Sequence, residues 1–293
     1  MLPTDLPRLG PYRLERILGK GASATVYLAQ DERDARRVAI KLLTPGWEPG
    51  GVDREEAHHR FAQEAAIFQR LQHPDIVAVL GTGEAAGQLW LAMELAPGRG
   101  LDHHAQPRLL LPAHVVLGIG ARVASALAHA HAQGVVHRDI KPSNVLADLA
   151  TNSVKVTDFG TARLLDGQRT RTGLMLGTPA YMAPELLLGD SADSRSDLYS
   201  LGVMLFELLA GRRPHESASM GELLRQIATE PPPDLQALRP VLPRGLVDLV
   251  NQLLAKHARQ RPADGKAVAA SLQSWVEPVL AAETAANTGK LSH

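Results

Sequence analysis

The stretch from Val135 to Asn144, VVHRDIKPSN, restricts the chain more than any other. It crowds His137, Arg138, Asp139, Lys141 and Asn144 into one short turn. Asp139 can accept a proton from a hydroxyl, and Lys141 can neutralise a phosphate in transfer. Asn144 offers an uncharged oxygen to a hard cation. One turn needs these groups this close if it is to hold a nucleophile, a phosphate and a cation together. The flanks are apolar: Val135 and Val136 predict a short buried strand before the turn, and Val145, Leu146 and Ala147 another after it.

HRDIKPSN resembles the catalytic loop of the protein kinases, with the lysine of the serine/threonine type. The strings GPYRLERILGKG, HPDIV, GVVHRDIKPSN and QRP have the style of bacterial Hanks-type (eukaryotic-like) serine/threonine kinases. The resemblance implies an α+β fold with two lobes, a small β-rich one with one key helix and a larger, mainly helical one. It covers residues 12–275, the first lobe over about 12–96 and the second over about 97–275, with 276–293 expected to be a frayed C-terminal tail.

Composition removes several classes. There is no cysteine, which excludes disulfides, thiolate metal sites and cysteine nucleophiles. The 31 Lys and Arg residues balance the 31 Asp and Glu residues, so nothing points to nucleic acid or an anionic membrane. The N-terminus lacks the basic and apolar regions of a signal peptide. The longest apolar stretch, Leu198 to Ala210, is interrupted by Glu207 and too short to span a bilayer. A cytoplasmic protein with no membrane segment is the expectation.

In the first lobe, Tyr12 to Leu18 alternates polar and apolar residues as a half-buried strand does, and Thr25 to Ala29 resumes a strand after a glycine turn bracketed by Gly19 and Gly21. Strand, glycine turn, strand makes a flap whose amides can lie over phosphates. Ala24 stands where the family has its third glycine. Val38 to Leu43 is an apolar strand carrying Lys41, and a buried ammonium needs a counter-charge. Asp53 is a candidate cap for the helix that follows. There Ala57, Phe61, Ala65, Phe68 and Leu71 form one apolar stripe that contains Glu64. Two strands, about Ile76 to Gly83 and Gln88 to Met93, come next, joined at Gly87.

The resemblance implies ATP as phosphoryl donor. It assigns the flap residues Leu18, Gly19, Lys20, Gly21, Ala22, Ser23, Ala24, Thr25 and Val26 to the nucleotide, together with Ala39 and Leu146. Lys41, paired with Glu64, would hold the α- and β-phosphates. Met93 would stand at the back of the pocket, and Glu94 to Ala96 would form the hinge whose backbone pairs with adenine.

In the second lobe, Pro112 to Gln133 is a long helical pattern. His129 and His131 lie two apart on it and so face different sides, which argues against a shared metal. The same reasoning disposes of His58 with His59 and His103 with His104. VKVTDFG then delivers Asp158 to the end of a strand. The resemblance makes Asp158 and Asn144 the ligands of Mg2+ (or Mn2+), Asp139 the base, and Lys141 the group that stabilises charge on the γ-phosphate.

Residues 158–185 have the composition of a mobile loop and match the family's activation segment, ending in Ala-Pro-Glu. Arg261 matches the usual partner of Glu185, and Thr178 matches a structural threonine. An arginine beside a carboxylate gains from an anionic partner, so Arg138 points to phosphorylation of Thr170 or Thr172, which Arg169 and Arg171 flank. Asp197 reads as a helix N-cap from its position, and by resemblance as the buried acid that receives amides of the catalytic loop. The implied partners are proteins with Ser or Thr acceptors and the chain itself. A first-lobe homodimer is common in the family, and no residue here argues for it. A pseudokinase scaffold and a small-molecule phosphotransferase are the rival classes. The full set Lys41, Glu64, Asp139, Asn144 and Asp158 argues against the first, and GTPAYMAPE with Arg261 against the second.

Overall fold

The computed structural model describes residues 8–21, 24–44, 61–63, 65–85, 87–159 and 179–290. The chain forms two compact units that divide after Pro97.

In the first unit, β1 (Arg8–Leu9), β2 (Tyr12–Lys20), β3 (Ala24–Asp31), β4 (Arg37–Leu43), β5 (Val79–Ala85) and β6 (Gln88–Glu94) form one sheet in the order β1-β2-β3-β4-β6-β5. Every pairing is antiparallel. Side chains alternate across the sheet, and both faces are apolar. Tyr12, Leu14, Val38, Ile40, Trp90 and Ala92 pack together in one cluster. Ala24, Ala39, Leu43, Leu91 and Met93 pack in another with Phe61 and Ala65, from helical residues 61–63 and 65–68.

Two boundaries differ from the sequence reading. Strand β2 does not stop at Leu18: its ladder runs on to Lys20 opposite Thr25, with irregularities between Leu14 and Arg16 and between Ile17 and Gly19. Leu18, Gly19 and Lys20 are therefore strand residues, and the turn is tighter, closed by Gly21 N donating to the Ala24 carbonyl at 2.9 Å. Strand β5 starts at Val79, because Ile76 forms only an isolated bridge. Ala22, Ser23, Asp53, Ala57 and Glu64 lie outside the described residues.

The second unit opens with β7 (Arg99–Gly100), which pairs with the hairpin of β8 (Val145–Asp148) and β9 (Ser153–Val156). Gly98 is required at its entry: φ is +90°, and a Cβ there would lie 2.2 Å from the Ala147 carbonyl oxygen. Its described α-helices are α1 (Ala113–Ala132), α2 (Pro184–Leu187), α3 (Ser194–Ala210), α4 (Met220–Thr229), α5 (Leu235–Leu238), α6 (Arg244–Leu253) and α7 (Gly265–Lys290). Helix α3 is the axis of this unit, with every residue from Ser196 to Leu209 buried. Its surroundings are tight: a Cβ on Gly120 of α1 would come 2.7 Å from Leu205 of α3. By length and composition α1 is long and apolar enough to cross a bilayer, but most of it is buried.

Three expectations are corrected here. Val135 and Val136 form no strand. The Val135 N–H bonds back to the Ala130 carbonyl at the end of α1, so these residues have no partner strand although Val135 is buried. Asp197 is not the cap of α3. Asp193 is, accepting from Arg195 N and Ser196 N in a capping box closed by Ser196. The expected frayed tail is helix: α7 runs through Pro278 to Lys290. Val279 is buried, and Glu283 accepts from Ala113 N at 2.7 Å and from His114 N at 3.4 Å, capping α1 from the far end of the chain. The His114 ring completes that contact, its Nδ1 lying 2.7 Å from Glu283 Oε2.

Candidate active site

Within the first unit, the β4 register fixes the lysine. Lys41 stands opposite Val26 on β3 and Leu91 on β6. Alternation puts it on the same face as Ala39 and Leu43, the face that carries Phe61 and Ala65. It is buried at 7% exposure, and a buried ammonium requires an anionic or hydrogen-bonding neighbour. Its predicted partner Glu64 is outside the described residues. Met93 lies buried on the same face, opposite Ala39, with Val26 and Ala96 packed at the margin of that cluster. Thr25, beside Val26 on β3, stands opposite Leu42. Glu94 ends β6 with its amide and carboxylate both turned to Ala78, donating to its carbonyl at 2.9 Å and accepting from its N–H at 3.0 Å. Ala24, in place of the third glycine, buries its methyl in the same cluster.

Within the second unit, the residues singled out in the turn come together. Lys141 Nζ lies 2.7 Å from Asp139 Oδ2, and Asn144 Nδ2 donates to that same oxygen at 2.9 Å and to the Asp139 carbonyl at 2.8 Å. These bonds orient the Asn144 amide so that its oxygen, Oδ1, is the atom left for a cation. Pro142 to Asn144 form a single 3-10 turn, which is what curls Asn144 back onto Asp139. Asn144 also ends the turn that starts β8. One residue beyond the ladder pair of Val145 with Val156, Thr157 N donates to the Asn144 carbonyl at 2.9 Å. Asp158 follows with φ +65°, a left-handed conformation that aspartate tolerates better than most residues. Leu146 lies on β8 opposite Lys155 and Gly100. Asp158 and Asn144 both offer oxygen, which suits a hard cation such as magnesium.

His137 is fully buried and organises this loop. Its Nε2 faces the Thr157 carbonyl at 2.9 Å and must carry the proton there. Its Nδ1 then accepts from Asp139 N at 3.2 Å, and its ring meets Phe159 edge-on at 4.5 Å. Asp197, with no exposure, takes Arg138 N on Oδ1 and His137 N on Oδ2, each at 2.8 Å. The role that the resemblance gave Asp197 is thus the one the geometry shows. His131, set aside in sequence as no metal ligand, reaches the same Asp197 Oδ2 at 2.7 Å. Sequence reading had no signal for this contact, because the two residues are 66 apart in the chain.

At the end of the activation segment, Glu185 is held by Arg261 as expected, through two bonds of 2.7 Å. Sequence reading missed Tyr181, whose hydroxyl donates to Glu207 on α3 at 2.5 Å. Burial pushes the Glu207 carboxyl above its ordinary range, which the bond from Tyr181 only partly offsets. Thr170, Thr172 and Thr178 lie outside the described residues.

The catalytic turn and the buried lysine strand are features of a phosphotransferase, and the comparisons agree. A model of the protein kinase domain matches residues 12–276. The serine/threonine-protein kinase PknJ of Mycobacterium tuberculosis is 40% identical over 258 residues, covering 85% of this chain and 43% of PknJ. The crystal structure of the Mycobacterium tuberculosis PknI kinase domain matches with a TM-score of 0.71 at 32% identity, covering 92% of this chain and 97% of that one. A crystal structure of Rad53 in complex with AMP-PNP matches with a TM-score of 0.74 at 25% identity, over 90% of this chain and 65% of that one. The chain belongs to the protein kinase family, in its bacterial Hanks-type serine/threonine branch. It spans less than half the length of PknJ.

Proposed function

We propose that the chain is a serine/threonine protein kinase that transfers the γ-phosphoryl group of ATP to protein hydroxyls in bacterial signal transduction, and that it works in the cytoplasm. The observation that carries the proposal is the cluster of Asp139, Lys141 and Asn144. Both side-chain bonds to Asp139 fall on Oδ2. Oδ1 is then the oxygen that orients the substrate hydroxyl and takes its proton. Lys141 supplies positive charge to the γ-phosphate. Lys41 with Glu64 holds the α- and β-phosphates, the flap and hinge residues hold the rest of the nucleotide, and Asn144 with Asp158 holds magnesium. Held there, such a cation would supply positive charge against the phosphates. The rest of the catalysis is positioning and preorganised charge.

Activation by phosphorylation of Thr170 or Thr172 belongs to the same reading, through new contacts to arginine. The test is incubation with magnesium, γ-labelled ATP and a basic protein substrate, beside an Asp139→Asn control, with phosphosites mapped by mass spectrometry. Label in the substrate and on Thr170 or Thr172, absent in the control, is the expected result. A chain that binds ATP and transfers nothing, even when co-expressed with an active relative, would instead be a scaffold of the same fold.

A further inference from the structure

We infer that a cavity on the second unit, between the segments that follow α3 and α4, binds acidic peptide segments, with Arg212 and the His215 ring holding a carboxylate. Its volume is about 490 Å³. Arg212, Arg213 and His215 line it from the segment after α3, and Pro231 to Pro233 line it from the segment after α4.

The His215 ring points to a ligand. Its exposure is only 6%. Lys256 Nζ lies 3.1 Å from its Nε2, 2.7 Å from the Ile227 carbonyl and 3.4 Å from the Gln226 carbonyl. An ammonium has three hydrogens and no lone pair, so these three acceptors use it fully, and Nε2 is one of them. A neutral imidazole that accepts at Nε2 carries its proton on Nδ1. The ring is neutral near pH 7, because its burial and then the Lys256 charge hold its pKa at about 4. Nδ1–H is therefore a donor, and it has no acceptor among the described residues. A nearly buried donor left unpaired is costly. The cavity that the ring lines is where an acceptor can reach it.

The charges around the cavity select that acceptor. Glu216 lies 3.1 Å from Arg213, and Glu230 lies 2.5 Å from Arg225, which it shares with Glu222. Arg212 is exposed and has no ion pair or hydrogen bond among the described residues. A carboxylate at Arg212 and Nδ1–H would gain one charge-assisted bond and one neutral bond. The prolines have no N–H, so their side of the cavity suits the carbon chain that carries the acid. The volume is that of a site for a few residues of peptide rather than for a lone ion. Burial raises the Tyr181 and Glu207 acids, and the Arg213 charge works against it at both, so the cavity borders the end of the activation segment. Under the kinase reading above, the occupant is an acidic stretch flanking the acceptor of a protein substrate.

The probe is a synthetic Glu-Gly repeat peptide, beside its Gln-Gly counterpart, titrated into the 15N-labelled chain without ATP. The Glu peptide is expected to shift the His215 Nδ1 signal and amides 212, 213, 215 and 216, and the Gln peptide to shift none of them. Arg212→Ala weakens binding by about fivefold, the scale of one exposed ion pair, and Arg212→Glu abolishes it. Neither variant removes a described contact of the fold. With an acceptor protein that carries a Glu-rich flank, Arg212→Glu raises KM and leaves kcat within about twofold. A His215 ring protonated on Nε2, a Gln peptide that binds as tightly as the Glu peptide, or unchanged binding to Arg212→Glu overturns the inference. So does inorganic phosphate that shifts these signals when the Glu peptide shifts none. An unchanged KM overturns the substrate as the occupant. A wild-type chain that binds the Glu peptide and transfers no phosphate refutes the kinase reading and upholds the peptide site.

Discussion

Arg261 and Glu185, 76 residues apart, meet in a forked pair with both N–H···O distances at 2.7 Å. The arginine side chain has no exposed surface, and its other hydrogen bonds go to the carbonyls of Arg195, Ala255 and Lys256. Its guanidinium also lies over the Tyr199 ring, 4.9 Å from the centroid. Burial pushes the Glu185 carboxyl up, but the bonds from Arg261 and Ser196 outweigh it and hold the group below its ordinary value. The pair fastens the end of the activation segment to the helical core of the second unit.

Arg261→Lys is therefore not conservative. A lysine cannot fork, and several acceptors lose their donor at once. The expected loss is about 3 kcal/mol, in the range for breaking a buried pair. Urea unfolding of the two proteins checks it, with equal slopes and a lower midpoint in the variant.

Acid should weaken the second unit through His215. Its burial, and then the nearby Lys256 charge, hold its pKa down at about 4 against an ordinary 6.5. Between those values the unfolded chain binds the proton and the folded chain does not. Stability therefore falls as pH drops from about 6.5 to about 4, then levels off for this group. His215→Leu removes that slope, and thermal melts across the interval read the difference.

Ala24→Gly, which restores the family's third glycine, should cost stability. The Ala24 methyl is buried among Ala39, Leu43 and Phe61, and glycine adds backbone entropy to the unfolded chain. Together these amount to about 1 kcal/mol. Calorimetry should show a lower Tm, with KM for ATP changed by less than about twofold.

Glu283→Ala should loosen α1. Pro112, at the N-cap of α1, makes no side-chain capping bond, so Glu283 supplies it. The loss is about 1 kcal/mol, the usual worth of a cap, and shows as faster exchange of the first amides of α1. Burial raises the Glu283 carboxyl, but the bonds from His114 and the two amides outweigh it and lower the pKa. The contribution is therefore present above the ordinary carboxylate range and is lost as pH falls through the lowered value.

The strands were legible because VAIKLL and QLWLAME have no choice but to be buried, and the catalytic turn because its groups lie within a few residues of one another. What escaped depended on distant partners. In DSRSD two acids compete to start α3, and only the helix boundary shows that Asp193 caps while Asp197 is buried below the loop. Val135 and Val136 have strand composition without a neighbouring strand. The end of α7 looks frayed in sequence because it is rich in alanine and polar residues, yet Val279 and Glu283 have places to go on the second unit. His131 shows nothing in sequence beyond being a histidine in a helix.

The cap on α1 also imposes an order on synthesis. Ala113 leaves the ribosome 170 residues before the carboxylate that receives its amide. Until Glu283 emerges, α1 has an open first turn, and the unit built on it is incomplete. A nascent chain therefore completes the first turn of this helix only when that acid has emerged.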